Sequence, residues 1–425
     1  MDVTRILPVS SERIPMEEIC TDAFLMQTRM GAFSEAIVGF LDDVSQQILR
    51  SPDIREYPEL MSLAYWLRKG NIRPMISEFN KTINEKEVVV PRGVAFQVAP
   101  SNVDSIFFYS WALSMLAGNI NIVRVSQSHS EQVILLFDII RECMQFERYD
   151  GVAKRNIILT YQHDKDISTF LSERADVRIL WGGDDTITAI RSLPSKPTTK
   201  DIAFADKISY CIIKATPYLQ LAEQRCKDIG RLFFNDAYWF DQMACSSPRI
   251  VYFIGDTASC EAASSKFWGN IAEELKEHRL VDTISVAMNK LVFLFESARD
   301  NIKLIKPPIF KYDQPSVVRI MGNDSYIPLE HCGGGLFFER FFDKLNDLKF
   351  VVHPKDQTVT YFGFKKKTLE NFILSVGGRG IDRIVPIGQA MDFSPVWDGY
   401  VLLNELTKRV SLIGDNSNLR AHNAS

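Results

Sequence analysis

The sequence predicts an α/β protein of two domains, the first built on a doubly wound parallel sheet, and three observations carry that reading. The chain has 425 residues, more than a single hydrophobic core usually organises. From residue 88 onward, short apolar runs rich in β-branched residues alternate with runs of helical period, the pattern of βαβ crossovers. A second cycle of the same kind begins after Ala215. With 46% hydrophobic and 24% charged residues, the composition is that of an ordinary soluble globular protein with ample material for a core.

Taken in order, RMGAFSEAIVGFLDDVSQQILR (29–50) spaces its apolar residues helically, so the N-terminal region is expected to be helical. VVVPRGVAFQVAP reads as strand, SIFFYSWALSMLAG as helix, NINIVRVS as strand and SEQVILLFDIIRECMQF as helix. NIILTYQ, DISTFLSERA, VRILWGG, DTITAIRSL and ISYCIIKA continue the alternation. The second cycle comprises the helical LAEQRCKDIGRLFFNDAYWF, the strand RIVYFIG, the helix KFWGNIAEELKEH and the strand KLVFLFES. The expected domains are therefore 1–215 and 216–385. The last segment, 386–425, holds a turn (FSPVWDGY) and a helical run (VLLNELTKRV) and is expected to pack back onto the domains.

The formal charge is −4 and no block of Lys and Arg stands out, which argues against nucleic acid as a partner. MDVTRILPVSSERI lacks the features of a secretory signal, and no apolar run reaches membrane-spanning length. A cytoplasmic protein is expected. Seven cysteines are scattered without CxxC pairing, so reduced thiols and no bound metal are the simplest expectation.

Three stretches can carry chemistry. In DQMACSSPRI (241–250) Cys245 sits among small, turn-compatible residues. Free cysteines are usually inert packing residues, but a thiol with access and a stabilised thiolate is a nucleophile. In VAPSNVDS (98–105) Asn102 stands between a strand and an apolar helix, where it serves either as an N-cap or as a donor to a developing oxyanion. In WGGDDTITAIR (181–191) Gly182 and Gly183 join strand to helix. They form either a tight turn or a helix N-terminus facing a phosphate, a role that Asp184 and Asp185 would oppose.

In order and spacing these pieces resemble the aldehyde dehydrogenase superfamily, which implies an aldehyde dehydrogenase-like fold of two doubly wound α/β domains. PRGVAFQVAPSN resembles the strand leading to Pro-x-Asn, and LSMLAGNINIVRVSQ the Ala-x-x-x-Gly-Asn segment with its Lys-Pro-Ser strand end. ILWGG falls at the phosphate turn, and FFNDAYWFDQMACSSPRIVYF is similar to the Phe-x-Asn-x-Gly-Gln-x-Cys segment. ACSSPR, GIDRIVPIG and PVWDGY look most like the acyl-CoA reductase branch, typified by the fatty-acid reductase subunit of bacterial bioluminescence. Arg124 replaces the common lysine, the second glycine of the phosphate turn is missing, and AFADKISY, with Asp206 as its acid, replaces the segment that carries a water-activating glutamate in hydrolytic members.

The resemblance implies a dinucleotide-binding domain over 1–215 and a catalytic domain over 216–385. It assigns Cys245 as nucleophile, Asn102 as oxyanion donor, and Arg124, Ser126, Gly182, Gly183 and Glu330 as cofactor-binding residues. The implied reaction is reduction of an acyl thioester, acyl-CoA or acyl-protein, to an aldehyde through an acyl-cysteine. A partner enzyme that transfers acyl groups and a homo-oligomeric state are further implications. RVSQSHS (124–130) holds a basic group and hydroxyls but no acid. Discrimination against NADP generally uses an acid on the ribose, so NADPH is the expected cofactor. Two alternatives stand beside this reading: an aldehyde dehydrogenase forming acid or acyl-CoA, and a non-redox subunit that binds or transfers acyl groups.

Overall fold

The computed structural model describes residues 1–27, 30–100, 106–278, 280, 282–299, 305–306, 315–321 and 328–413. The chain divides into two compact units, one of residues 1–205, 393–396 and 400–425 and the other of residues 206–392 and 397–399.

The first unit is organised around a seven-stranded sheet ordered Ser11–Pro15, Asp2–Leu7, Asn156–Thr160, Ile120–Arg124, Val94–Val98, Val177–Trp181, Lys200–Phe204. The last five are parallel, and Asp2–Leu7 runs antiparallel to its neighbours. In chain order the parallel strands follow the 3-2-1-4-5 arrangement of a dinucleotide-binding sheet, whose direction of winding reverses beside Val94–Val98. Their side chains are almost all buried, as expected when helices cover both faces.

A buried polar layer fixes the mutual register of these strands. Gln97 donates to Asn121 (3.2 Å), Asn121 to Asn156 (3.0 Å), and Trp111 to the same Asn156 carbonyl (2.7 Å). Ser110 joins Gln97 (3.0 Å) and receives the Trp181 indole N–H (3.1 Å). A one-residue slip would strand these groups without partners in an apolar interior, which is costly.

The second unit carries its own seven-stranded sheet, ordered Ile305–Lys306, Ser316–Ile320, Leu336–Phe342, Pro248–Ile254, Ile208–Lys214, Asp356–Phe362, Arg383–Pro386. All but Ile305–Lys306 are parallel. On one face the helices Glu223–Tyr238 and Thr257–Glu277 bury an aromatic core. Phe267, fully buried, lies 4.9 Å from Phe233, 5.0 Å from Trp268 and 5.9 Å from Phe253, centroid to centroid. Phe267→Ala is expected to destabilise this unit by about 3–5 kcal/mol through the cavity it leaves, measured as a lowered urea midpoint.

Several sequence expectations are corrected. The strand Ile208–Lys214, read with the first alternation, pairs with Pro248–Ile254 and Asp356–Phe362 in the second sheet. The division between units therefore falls at residues 205/206 rather than near 215. KLVFLFES, read as a strand, lies in the helix Ile284–Arg299, where Lys290 and Leu294, one turn apart, are the buried positions. A short apolar run does not by itself distinguish the two periods. The N-terminus opens with a β-hairpin before its first long helix, Glu35–Arg50. VLLNELTKRV is a helix only over Leu402–Leu406, after which Thr407–Ser411 pairs antiparallel with Glu87–Pro91. No helix among the described residues is long and apolar enough to cross a membrane.

Candidate active site

Four of the residues singled out for cofactor binding lie at the carboxyl ends of two strands that flank Val94–Val98 in the first sheet, the end at which open α/β sheets bind ligands. Arg124 is the last residue of Ile120–Arg124, and Ser126 follows two residues later. Gly182 and Gly183 follow Val177–Trp181 directly. Arg124 lies 5.2 Å from the Tyr161 ring centroid, and its buried Nε has no hydrogen-bond partner among the described residues. Gly182 adopts φ +154°, and a Cβ there would come within 3.2 Å of the Thr186 side chain, so the turn admits only glycine comfortably. Gly183 is the N-cap of the helix Asp184–Arg191 and offers no capping side chain, while Asp184 and Asp185 stand in its first turn. An arginine whose Nε lacks a partner and a glycine turn, both at the carboxyl end of one sheet, fit the diphosphate and ribose of a dinucleotide.

Asn102 lies outside the described residues. Glu330 is exposed, on the loop that precedes Gly333.

In the second unit Cys245 lies in the turn that feeds Pro248–Ile254, and the chain around it is held firmly. Asp241 and Gln242 both take left-handed backbone conformations, φ +49° and +61°, which ordinarily cost free energy in residues other than glycine. The fully buried Gln242 offsets that cost by donating to the carbonyls of Pro248 (3.1 Å) and Leu336 (3.0 Å). Gly334 N–H donates to the Asp241 carbonyl (3.0 Å), and a Cβ on Gly333 would lie only 2.7 Å from that carbonyl oxygen. Ser209 Oγ donates to the Cys245 carbonyl (2.6 Å) and receives the Thr358 N–H (3.1 Å). The backbone that carries the thiol is thereby anchored to both neighbouring strands at the amino edge of the sheet.

Cys20, Cys143, Cys211, Cys226 and Cys260 are buried, whereas Cys245 and Cys332 keep part of their surface open. The Cys245 sulfur accepts a hydrogen bond from Gln357 Nε2 at 3.3 Å, and the same amide nitrogen donates to Asp398 Oδ1 at 2.5 Å. Burial pushes the Cys245 thiol up to about 11; the Asp398 charge acts in the same direction, opposed by the Gln357 hydrogen bond and by Arg249 and Arg383. Burial likewise raises Asp398 to about 6. Cys245 is therefore a thiol at neutral pH, and its attack on a carbonyl must release a proton. Arg249 is brought down to about 10 by burial, against the charges of Cys245 and Asp206. Asp206 thus faces a cation of the site.

Sequence reasoning missed Gln357, Asp398, Arg249 and Arg383. Asp398 lay in the quoted PVWDGY, but nothing in DQTVTYF marks Gln357. The aromatic run FFNDAYWF contributes Phe233 and Phe234 to the core. Among the described residues no group of His, Cys, Asp and Glu is arranged to hold a metal ion.

The model of the family described as "Acyl-CoA reductase (LuxC)" matches residues 67–281, just over half of the chain. That span includes Asn102, Arg124, Ser126, Gly182, Gly183 and Cys245 but not Glu330. The long-chain acyl-protein thioester reductase of Aliivibrio fischeri is 28% identical over 169 residues, 39% of this chain and 33% of that protein. That of Photorhabdus luminescens is 26% identical over 171 residues, 39% and 32% of the two chains. The chain thus matches about a third of the length of these curated relatives. Among solved structures, an aldehyde dehydrogenase from Physcomitrella patens, in complex with its product succinate, superposes with a TM-score of 0.64 at 12% identity, covering 99% of this chain and 95% of that one. At that identity the likeness establishes the fold, which is that of the aldehyde dehydrogenases.

Proposed function

Since the chain belongs to the acyl-CoA reductase (LuxC) family, we propose that it reduces an acyl thioester to an aldehyde through an acyl group carried on Cys245. The observation that carries this reading is the setting of Cys245 within the matched span: a partly open cysteine with its sulfur hydrogen-bonded to Gln357 and its loop braced by Gln242 and Ser209.

The Cys245 sulfur bonds to the acyl carbon, the thioester C–S bond of the donor breaks, and the proton lost by Cys245 leaves on the departing thiol. The Cys245 N–H and the Asn102 amide would hold the oxyanion of the tetrahedral stage. Arg124, Ser126, Gly182, Gly183 and Glu330 would hold a nicotinamide dinucleotide, which when bound supplies the hydride that converts the acyl-cysteine to a hemithioacetal. Cys245 then departs from carbon as the aldehyde C=O forms, and its sulfur recovers a proton. A donor that is acyl-CoA or an acylated protein is consistent with this chemistry, as is a partner enzyme that delivers the acyl group. AFADKISY supplies no glutamate in the place of the hydrolytic members' water activator, so the acyl-cysteine is expected to persist until it is reduced.

The test is incubation with a panel of acyl-CoAs and either NADPH or NADH, with aldehyde quantified. Aldehyde is expected with NADPH, the cofactor of higher specificity constant, because RVSQSHS presents Arg124 and hydroxyls but no acid to a ribose phosphate. A specificity constant about tenfold or more higher with NADH would reverse the cofactor assignment. Free acid formed from added aldehyde, with no thioester reduction, would replace the reductase by an oxidising enzyme.

A further inference from the structure

We propose that Gln357 donates the hydrogen bond that receives the charge on the Cys245 sulfur, and that Asp398 is a positioning residue that aims the Gln357 amide at it. This deepens the reading of Cys245 as nucleophile and rests on it.

Gln357 is the second residue of the strand Asp356–Phe362 and is 2% exposed. Its amide has one workable orientation. Nε2 faces the sulfur at 3.3 Å and Asp398 Oδ1 at 2.5 Å, while Oε1 accepts from Thr358 Oγ1 at 3.3 Å. Flipped, the amide would set its oxygen against a carboxylate and a sulfur, so chemistry decides the assignment. Thr358 Oγ1 is itself held by Arg383 Nε at 3.3 Å, and Arg383 also donates to the Asp392 carbonyl at 2.8 Å and lies 4.7 Å from the Trp397 ring centroid. Asp398 takes φ +48° immediately before Gly399 at φ +75°. Asparagine and aspartate tolerate this region better than most residues; here it turns the carboxylate onto Gln357.

The surroundings set the signs. Arg249 and Arg383 favour the thiolate and Asp398 opposes it. Asp398 in turn faces Asp382, Lys207 and Arg383, with Lys207 paired to Asp382 at 3.0 Å. Asp206 acts on Arg249. His331 is lowered to about 3 by burial and by the charge of Arg249 and stays neutral. Asp356, next to Gln357, is lifted by burial to about 7. Gln357 is thus a neutral donor within a cluster of charges, able to solvate the sulfur without fixing its charge in advance.

The experiment reads the thiol alone. Full-length protein, without substrate or cofactor, is alkylated with iodoacetamide across pH, and modification of Cys245 is followed by peptide mass spectrometry. Gln357→Glu keeps the shape but sets a carboxylate on the sulfur, and the alkylation rate at pH 8 should fall by roughly tenfold or more. Asp398→Asn keeps an acceptor for Gln357 while removing the charge, so the rate should rise by about threefold or more. Asp398→Ala removes the same charge but also the acceptor, and its rate should fall clearly short of that of Asp398→Asn. Equal rates in the two Asp398 variants would overturn the aiming role, and an unchanged pH profile in Gln357→Glu would overturn the donor role. Melting temperatures establish that each variant is folded. A protein that fails to reduce thioesters yet shows these shifts would contradict the proposed function and leave the geometry of the thiol site intact.

Discussion

Cys245→Ala is expected to reduce thioester-dependent aldehyde formation by about ten-thousand-fold or more, the scale of losing a covalent nucleophile, while leaving the folded chain intact. The backbone contacts that brace the turn, from Ser209 to the Cys245 carbonyl and from Gln242 to Pro248 and Leu336, do not involve the sulfur. Cys245→Ser is the sharper variant. Its hydroxyl can accept an acyl group slowly, but an oxygen ester is less electrophilic than a thioester and resists reduction. The other partly open cysteine, Cys332, has its sulfur 3.6 Å from the Gly333 carbonyl oxygen, and its thiol is raised by burial. It lies beyond the span that the family model matches, and Cys332→Ala should leave turnover close to that of the parent. Steady-state rates of aldehyde formation for the three variants decide the matter; full activity in Cys245→Ala would remove the assignment.

Asn102→Ala is expected to lower kcat by about a hundredfold or more with little change in melting temperature, because an oxyanion donor acts on the transition state and not on the resting fold. An asparagine that only caps a helix behaves in the opposite way, costing roughly 1 kcal/mol of stability with turnover nearly intact. Kinetics and thermal melts on the same preparation separate the two roles.

The first sheet was legible because its strands are short, mostly apolar runs separated by helical periods, and NINIVRVS, NIILTYQ and VRILWGG each became a parallel strand. KLVFLFES was not, since its five consecutive apolar residues, LVFLF, carry no periodic signal that separates a buried strand from a helix. Its four-residue spacing of buried Lys290 and Leu294 emerges only from packing. The strand Ile208–Lys214 was found but placed in the wrong sheet, because nothing local tells a strand which neighbours it will join. At the site, Cys245 was legible through the small residues and turn around it. Gln357 and Asp398 lie 112 and 153 residues further along the chain, and only the parallel pairing of Ile208–Lys214 with both Pro248–Ile254 and Asp356–Phe362 brings Gln357 to the sulfur.

The central claim is that acyl groups pass through Cys245. Mixing the protein with radiolabelled acyl-CoA in the absence of NADPH tests it most directly. Label should accumulate on the peptide containing Cys245, be released by neutral hydroxylamine as a thioester is, and be chased into aldehyde when NADPH is added. Label mapped to Cys332, or undiminished labelling of Cys245→Ala, would contradict the account.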